Sequence, residues 1–448
     1  MTNAPEPSTI KRALTSHAAI GLLVGALLYV VCLTGTIVVF FAELQRFEQP
    51  HVPEMRTISP DAVQRGVEAV LARESAKPAS GHMYVHLPVE DLPRATITTD
   101  SGAVHLQPDG RLANDEQVAW SDFLVALHYT LNIPGVIGIT LVGALGVMIL
   151  ALSLSGVIAH PRIFRDAFRL RARDTGGLAL ADWHNRLSVW SLPFSVAVAL
   201  TGAVIGLASL TAYVMAARDH KGDLEAVYAP IFGAEGKPDK RKAAAPNVGA
   251  ALAYMAAHYP ATTVTYVIVH EPATVGQEIQ ITAEHPRRLI YGENYRFDAQ
   301  GQFRGTVGLS DGAVGQQIAS SNYRLHFGTF AGLPVKLAYL VFGFALSAIC
   351  ATGTYIWLGK RRRRGHHEPR LLKAWDAVVW GAPLALTLTL LGRFAIGNAA
   401  PFALIFWVGQ AVLIAAACAP FDPARFRKVL QVGLAVCLVL AVVVGAAR

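Results

Sequence analysis

The sequence predicts an all-α polytopic membrane bundle of about seven transmembrane helices, with two small α+β segments outside the bilayer. Two observations support this prediction. Of the 448 residues, 53% are hydrophobic and only 16% are charged, whereas soluble domains carry roughly 25% charged residues. The mean hydropathy is +0.39. The uncharged residues also gather in runs long enough for a helix to cross about 30 Å of hydrocarbon at about 1.5 Å per residue. An ordinary soluble fold is therefore excluded.

Seven apolar runs are predicted to span the membrane. The first, Ala18 to Ala42, is too long for the core of a signal peptide and is expected to remain as a helix. The other runs cover about 129–159, 187–217, 337–359, 377–393, 399–420 and 429–446. The predicted domain order is the N-terminus with the first helix (1–42), a polar segment (43–120), the second helix (121–160), a basic loop (161–183), the third helix (184–217), a second polar segment (218–322), the fourth helix (323–359), a basic loop (360–376) and three C-terminal helices (377–448).

The distribution of Lys and Arg predicts the orientation. Three links between spans are strongly basic, and they read HPRIFRDAFRLRAR, GKRRRRGHHEPR and FDPARFRK. Seven crossings place all three on the side of the N-terminus, which the positive-inside rule makes the cytoplasm. We therefore expect a bacterial inner-membrane protein whose two polar segments face the periplasm. Because the basic residues flank apolar runs, the +8 net charge does not indicate nucleic-acid binding.

The two polar segments share one order of predicted elements. In the first, ISPDAVQRGVEAVLARE has helical spacing, with Ser59 as the N-cap and Pro60 at the first helical position. HMYVHLP, RATITTD and AVHLQPDGRLA then alternate as short strands do. The second segment repeats this order with NVGAALAYMAAHYP, TVTYVIVHEP, QEIQITAE and YRFDAQGQFRGTV. DG in the first segment and AQG in the second occupy the same hairpin position.

An internal duplication of a helix–module–helix unit follows from the helices as well. The first span starts at His17 and reads LTG seventeen residues later, and the third repeats this from His184. The second and fourth spans each follow a Leu-His pair, at His128 and His326, and each ends in a small-residue pair, Ser155-Gly156 or Thr352-Gly353. The duplication therefore sets four histidines at matched helix ends, with His17 and His184 on one side of the bilayer and His128 and His326 on the other.

These four histidines are the predicted ligands of two haem irons. A single histidine near a membrane interface is usually structural, but four at duplicated positions are harder to dismiss. Neutral imidazole is a haem ligand, and an electron-transfer haem takes two axial ligands. His17 with His184, and His128 with His326, would then hold one haem near each leaflet. Plain helix packing explains equally well the glycines beside these positions, which are Gly35, Gly156, Gly202 and Gly353.

His160 is a reserve ligand at the same membrane side as His17, and a pairing of His17 with His160 stays open. Its counterpart in the second unit is Trp357, so the symmetry is broken there. The histidines of the polar segments show no structural-metal spacing and are expected on a solvated surface. The chain has no G-x-G-x-x-G between a strand and a helix, no Walker A motif and no HExxH. Electrons would therefore have to come from a partner or from quinol in the bilayer.

The sequence resembles the PepSY-associated transmembrane helix family over about residues 10–360. The resemblance lies in HAAIGLLVGALLYVVCLTG, ALHYTLNIPGVIGITLVGALGVMILALSLSG, DWHNRLSVWSLPFSVAVALTG and LHFGTFAGLPVKLAYLVFGFALSAICATGTYIW, and in SPDAVQRGVEAV and YRFDAQGQF of the polar segments, which look like PepSY domains. It implies PepSY-like periplasmic modules and two b-type haems held by His17, His184, His128 and His326, as in ferric-siderophore reductases. The tail after about residue 375 lies outside the pattern, and His160 departs from it.

The leading hypothesis is a di-haem b reductase that passes single electrons across the inner membrane to a periplasmic ferric-siderophore or similar Fe(III) chelate. The donor, quinol or a cytoplasmic reductase, stays open. Arg324 and Lys336 are candidate partners for the propionates of the outer haem, and Arg12 and Arg186 for those of the inner one; each is also an ordinary interface cation. The alternatives are a non-enzymatic protein that binds peptides or restrains a protease, and a solute transporter.

Overall fold

Six helices are long and apolar enough to cross a membrane in the computed structural model, which describes residues 7–166, 178–234, 236, 238–285, 289 and 292–447. The spans are Ser8–Val38, Gly135–Ala159, Leu192–Asp219, Gly332–Arg363, Pro369–Ile396 and Pro423–Ala446. The protein is therefore a multi-pass membrane protein. Part of the predicted basic loop, 167–177, lies outside the described residues.

The predicted sixth span forms a shorter helix than expected. The sequence predicts a crossing over 399–420, whereas the structure has Phe402–Ala416, which is 15 residues long. At about 1.5 Å per residue this helix rises about 22 Å, less than the roughly 30 Å of hydrocarbon. The count of seven crossings therefore stays a prediction, as does the internal duplication.

The chain folds into two units, each described by itself. The membrane unit comprises Met1–Phe41, Ala119–Leu207 and Ala331–Arg448, and the sheet unit comprises Ala42–Val118 and Ala208–Phe330. The helices that lie wholly or mainly in the membrane unit are α1 (Pro7–Val38), α4 (Ala119–Thr130), α5 (Gly135–Ala159), α6 (Ile163–Asp166), α7 (Leu178–Trp190), α8 (Leu192–Asp219, which continues into the sheet unit), α12 (Gly332–Arg363), α13 (Pro369–Val379), α14 (Gly381–Ile396), α15 (Phe402–Ala416) and α16 (Pro423–Ala446).

Helix α1 lies at the centre of the membrane unit, where it packs against α4, α5 and α12. Half of its most apolar window is buried inside the protein, compared with 11% for α16. Tyr29 of α1 donates a hydrogen bond to the carbonyl of Val379 at the end of α13 (2.8 Å). Exposed valines along α16 present an apolar surface suited to lipid, among them Val429, Val432 and Val436. The C-terminal helices are thus tied to the core on one side and face outwards on the other.

The two predicted α+β modules join in one eight-stranded antiparallel sheet. The elements of the sheet unit are α2 (Phe41–Glu48), α3 (Pro60–Arg73), β1 (His82–His86), β2 (Thr96–Thr99), β3 (Gly102–Leu106), β4 (Leu112–Asp115), α9 (Glu225–Phe232), α10 (Val248–His258), β5 (Thr263–His270), β6 (Glu278–Glu284), β7 (Glu293–Phe297), β8 (Phe303–Thr306) and α11 (Val314–Phe327). The strand order is β4-β3-β2-β1-β5-β6-β7-β8. Strand β1 pairs with β5 in the register His82 to His270 and His86 to Tyr266. The four strands of the first module and the four of the second are therefore hydrogen-bonded to each other through these two strands.

Helix α3 starts at the predicted cap, Ser59, helix α10 starts after an Asn247 cap that the sequence analysis did not name, and the two helices pack against each other. The Ser59 hydroxyl accepts the N–H of Ala62 (3.2 Å) before α3, and the Asn247 side chain accepts the N–H of Ala250 (2.9 Å) before α10. Each bond satisfies an N–H that the first helical turn leaves without a partner. Residues of both helices and of alternate positions on the central strands form one buried core.

The predicted hairpin glycines, Gly110 and Gly301, both have positive φ, at 86° and 79°. Each lies against the start of the helix in its own half. A Cβ at Gly110 would lie 2.0 Å from the carbonyl oxygen of Ala62, and one at Gly301 would lie 2.8 Å from that of Asn247. Backbone conformation and space therefore both require glycine at these turns.

His105 on β3 is buried rather than solvated, against the sequence expectation. Its Nδ1 lies 2.8 Å from the Thr96 hydroxyl, and its Nε2 lies 3.3 Å from Oε1 of Gln49. Because that Oε1 already accepts the backbone N–H of Gln117 (2.7 Å), Nε2 is the donor and Nδ1 the acceptor. The hydrogen bonds thus fit a neutral imidazole.

We expect His105 to make the sheet unit sensitive to acid. Burial and nearby Arg94 lower the pKa of His105 to about 4 from the ordinary 6.5, so the unfolded chain binds a proton first as the pH falls. Above about pH 6.5 the imidazole is neutral in both states and does not lower the free energy of unfolding. As the pH falls towards 4, protonation of the unfolded chain lowers that free energy by roughly 1–3 kcal/mol. Thermal unfolding of the intact protein at pH 7.5 and 5 should show a smaller pH dependence for His105→Gln than for wild type. His51→Gln, at an exposed site, is the control, and an unchanged slope in His105→Gln would contradict the assignment.

Candidate functional site

The structure brings His17 of α1 and His184 of α7 together in the membrane unit. Their ring centroids lie 6.4 Å apart and the ring planes are nearly perpendicular, at 89°. The two histidines are 167 residues apart in sequence. They meet because α12 packs against both α1 and α7. This pair is the one that the sequence places on the same side of the bilayer.

The hydrogen bonds of the pair define which ring nitrogen carries the proton. Nδ1 of His17 lies 3.0 Å from the carbonyl oxygen of Leu152, which can only accept, so Nδ1 is protonated. Nδ1 of His184 lies 2.9 Å from the hydroxyl of Thr352. That hydroxyl donates its own hydrogen to the carbonyl of Ala348 (2.7 Å), so it accepts from His184. In the neutral form of both rings, Nε2 then has the lone pair that a metal requires.

Small residues on the facing helices make room for both rings. A Cβ built on Gly156 of α5 would lie 3.4 Å from Cε1 of His17, and a Cβ on Gly353 of α12 would lie 3.6 Å from Cε1 of His184. The residue before each glycine has a hydroxyl group that lies near the ring nitrogen of the histidine. For His17 this is Ser155, at 3.2 Å. The Ser-Gly and Thr-Gly pairs thus combine a hydrogen-bonding group with space.

His128 has the same arrangement with its glycine on α1. Its Nδ1 lies 3.0 Å from the carbonyl oxygen of Val31, so this nitrogen is again the donor. A Cβ on Gly35 would lie 2.6 Å from Cε1 of His128, which is closer than real carbon contacts allow. His326 lies on α11 of the sheet unit, with its ring centroid 5.8 Å from that of Phe327. Its predicted pairing with His128 therefore stays a prediction.

His160 ends α5 as its C-cap and is exposed. It lies close enough to His17 and His184 to act on both electrostatically, as does Lys360 of α12. The reserve ligand thus belongs to the same neighbourhood as the pair. The choice between His184 and His160 as the partner of His17 favours His184, whose ring has the orienting hydrogen bond to Thr352.

The four predicted cations differ in their surroundings. Arg12 is exposed, whereas Arg186 and Lys336 of the membrane unit are 4% exposed. Arg324 on α11 forms an ion pair with Glu284 of β6 (2.7 Å). Burial raises the pKa of Glu284, and Arg324 opposes this effect. Arg324 is therefore already engaged by a carboxylate in the sheet unit.

His17 and His184 are the described residues whose imidazoles could hold a metal between them. Among the described residues, no group of three or more His, Cys, Asp or Glu side chains could hold a metal ion. Two imidazoles on opposite sides of one metal, with metal–nitrogen distances of about 2.0 Å, place their ring centroids about 6.3 Å apart. The separation of His17 and His184 agrees with this value. His17 and His184 are therefore the residues that would hold an iron-containing cofactor if one is bound.

The sheet unit contains a cavity that the sequence did not indicate. Its volume is about 470 Å³, and it lies between α9 and the sheet. The lining includes His82 and His270, whose ring centroids are 5.1 Å apart across β1 and β5. The ion pair of Arg296 with Glu278 (3.0 Å) also lines it. These histidines were expected on a solvated surface, and their cross-strand register could not be read from spacing alone.

Sequence reasoning also missed two contacts in the membrane unit. Cys32 of α1 and Cys350 of α12 have their Sγ atoms 3.9 Å apart, although the sequence shows only that each lies in an apolar run. Asp376 forms a polar cluster with Tyr355 and Arg427. The sequence could have indicated this cluster, because Asp376 is a lone acidic residue in an apolar segment and would need a polar partner.

Two comparisons with known proteins cover most of the chain. The model of a family described as "PepSY-associated TM region" matches residues 14–360. A Pseudomonas aeruginosa protein with the printed name "Uncharacterized protein PA4219" is 28% identical over 347 residues, which is 72% of this chain and 86% of that protein. The family match ends near the end of α12, so α13 to α16 lie beyond it.

We expect Gly35→Ala to disturb His128. The added methyl group would overlap the imidazole, and relieving such an overlap in a packed interior costs about 1–3 kcal/mol. Thermal unfolding of the intact protein in detergent should therefore show a lower midpoint for Gly35→Ala. Gly353→Ala is the matched control, because its methyl group would meet the ring of His184 at an ordinary contact distance of 3.6 Å. Equal midpoints for the two variants would contradict this packing.

Proposed function

The chain belongs to the PepSY-associated transmembrane family, and we propose that it is an inner-membrane reductase that holds haem b between its helices and passes single electrons to a periplasmic Fe(III) chelate. Haem b, when bound, supplies a one-electron Fe(III)/Fe(II) couple. The protein's own contribution is to hold the ligands, orient them and exclude water from them. The resemblance to ferric-siderophore reductases supports this class of acceptor.

The observation that carries the proposal is the geometry of His17 and His184. The ring centroids of the two imidazoles lie 6.4 Å apart, so both side chains could reach one iron between them. Their Nδ1 atoms are hydrogen-bonded to the carbonyl of Leu152 and the hydroxyl of Thr352, which orients the rings and leaves Nε2 as the nitrogen that would coordinate iron.

For a second haem, the proposal takes His128 and His326 from the sequence pattern alone. The carbonyl of Val31 orients His128 as Leu152 orients His17. Lys336 and Arg324 are the cations proposed for the propionates of this haem, and Arg12 and Arg186 are those proposed for the first. The positive-inside rule supports an orientation with Lys360 to Arg364 in the cytoplasm.

A second candidate function is ligand binding without electron transfer, and the cavity of the sheet unit favours it. A volume of about 470 Å³ lined by imidazoles, an Arg–Glu pair and tyrosines suits a small polar or peptide ligand. If this candidate is correct, the protein contains no haem. It should then still bind its ligand after replacement of the four histidines that the sequence places at helix ends, which are His17, His184, His128 and His326.

We expect the protein purified from haem-replete cells to show the reduced α-band of haem b, with close to two haems per chain in a pyridine haemochrome assay. His17→Ala and His184→Ala should each lose about one of the two haems, because an iron that keeps one axial imidazole is held weakly. His128→Ala and His326→Ala should lose the other. The measurement is haem per chain together with the visible spectrum before and after dithionite.

His258→Ala is the matched control, since His258 ends α10 at an exposed position and should keep the full haem content. His160→Ala tests the reserve ligand and should keep both haems as well. A colourless wild-type protein would overturn the proposal and leave the ligand-binding candidate. Loss of haem in His160→Ala but not in His184→Ala would reassign the pair.

A further inference from the structure

A buried carboxylate joins three helices of the membrane unit outside the histidine pair. Asp376 on α13 has no exposed surface. Its Oδ1 accepts the hydroxyl of Tyr355 on α12 (2.6 Å) and Nε–H of Arg427 on α16 (2.8 Å). The Arg427 guanidinium also lies over the Tyr355 ring, 5.1 Å from its centroid. We call these three residues the carboxylate cluster.

The second oxygen of Asp376 lacks a hydrogen-bond donor. Among the residues that the structure describes, Oδ2 of Asp376 is buried and accepts no hydrogen bond. A buried carboxylate oxygen without a donor loses the hydration that it would have in water and gains nothing in exchange. A hydroxyl group of a ligand, or a proton, would relieve this. The unpaired Oδ2 is thus an acceptor available to an O–H donor.

The carboxylate cluster lies close to the histidine pair. Tyr355 follows Thr352 by three residues, which is about one turn of α12, and Thr352 holds Nδ1 of His184. Trp375, the neighbour of Asp376, lies edge-on to Tyr355 with ring centroids 6.4 Å apart. Its ring also reaches within 3.5 Å of the Cβ position of Gly25 on α1. The cluster and the pair therefore share the same end of α12.

Arg427 is the part of the carboxylate cluster that reaches the surface of the membrane unit. The side chain of Arg427 is 39% exposed, and two exposed side chains that follow it on α16, Val429 and Val432, are apolar. A ligand that fits must be apolar enough to arrive through lipid, flat enough to lie against Tyr355 and Trp375, and able to donate an O–H and accept from a guanidinium. A hydroquinone has all of these properties.

We propose that the carboxylate cluster binds a membrane quinol, with Asp376 as the acceptor of one quinol hydroxyl and Arg427 as the donor to the ring oxygen. The inference rests on the proposed function, because the haems proposed there would accept the electrons of the quinol. Conversion of one quinol to quinone breaks two O–H bonds and releases two electrons and two protons. Two one-electron oxidants take the electrons, which in the proposed function are ferric haems. Asp376 takes one proton, by way of Tyr355 or directly on Oδ2, and water takes the other.

The first test is quinone binding, which does not depend on haem activity. The intact protein in detergent is titrated with decylubiquinone, and tryptophan fluorescence is followed because Trp375 adjoins the cluster. Wild type should show saturable quenching. Asp376→Asn and Arg427→Gln should each weaken the binding about tenfold, the effect of losing roughly one charged hydrogen bond. Arg425→Gln is the matched control, because Arg425 is an exposed cation on the same helix.

The second test separates this inference from the proposed function. Decylubiquinol should reduce the haem of wild type and of Arg425→Gln, and should do so at least tenfold more slowly in Asp376→Asn, while dithionite reduces all three. Should Asp376→Asn fail to fold, Tyr355→Phe keeps the ring and tests the proton path alone, with binding retained and quinol-driven reduction slowed.

Equal quinone binding by Asp376→Asn and Arg425→Gln, or no saturable binding by wild type, would overturn the inference while leaving the haem assay intact. A haem-free protein that still binds quinone through Asp376 would overturn the proposed function and keep the binding site. Reduction by quinol at the same rate in all variants would place quinol oxidation elsewhere.

Discussion

Every buried N–H group needs a hydrogen-bond acceptor, and this requirement determines how the polar side chains of the membrane unit are arranged. Hydrocarbon offers no hydrogen-bond partner, so a polar side chain between helices must find one inside the bundle. His17 and His128 find it in the carbonyls of Leu152 and Val31, at 3.0 Å in both cases. A glycine follows each of these carbonyls by four residues, Gly156 after Leu152 and Gly35 after Val31, and leaves room beside it for the ring. The same local arrangement thus provides the acceptor, the space for the ring and the choice of tautomer.

The sequence predicted those features that depend on one segment at a time. Uncharged runs identified the membrane helices, and Ser59 and the hairpin glycines identified a cap and two turns, because each signal is local. The length of Phe402–Ala416 was overestimated, since hydropathy alone does not show where Pro401 starts a helix. The pairing of β1 with β5 could not be predicted. The alternation of polar and apolar residues identifies each strand but does not show which distant strand it pairs with.

The candidate site shows the same division between local and distant information. Matched spacing from His17 and His184 to their LTG sequences placed both histidines at helix ends, and the structure brings their rings together. The hydrogen-bond acceptors on Leu152 and Thr352 could not be predicted. They lie on other helices, and which of their residues face the histidines depends on how those helices are rotated when they pack. Asp376 was visible only as a charge that shortened an apolar run. Its partners Tyr355 and Arg427 come from segments 21 residues before and 51 residues after it.

The pairing of β1 with β5 has a consequence for the order in which the chain is made. Strand β1 ends at His86 and β5 starts at Thr263, and the helices from α4 to α8 lie between them in sequence. At about 5–20 residues per second, the ribosome needs roughly 10–35 s to supply the partner. During this interval the edge of β1 is unpaired and can attract another chain. Membrane insertion of the intervening helices therefore precedes completion of the sheet, and biogenesis of the first half requires either a chaperone or an edge that stays protected until synthesis reaches β5.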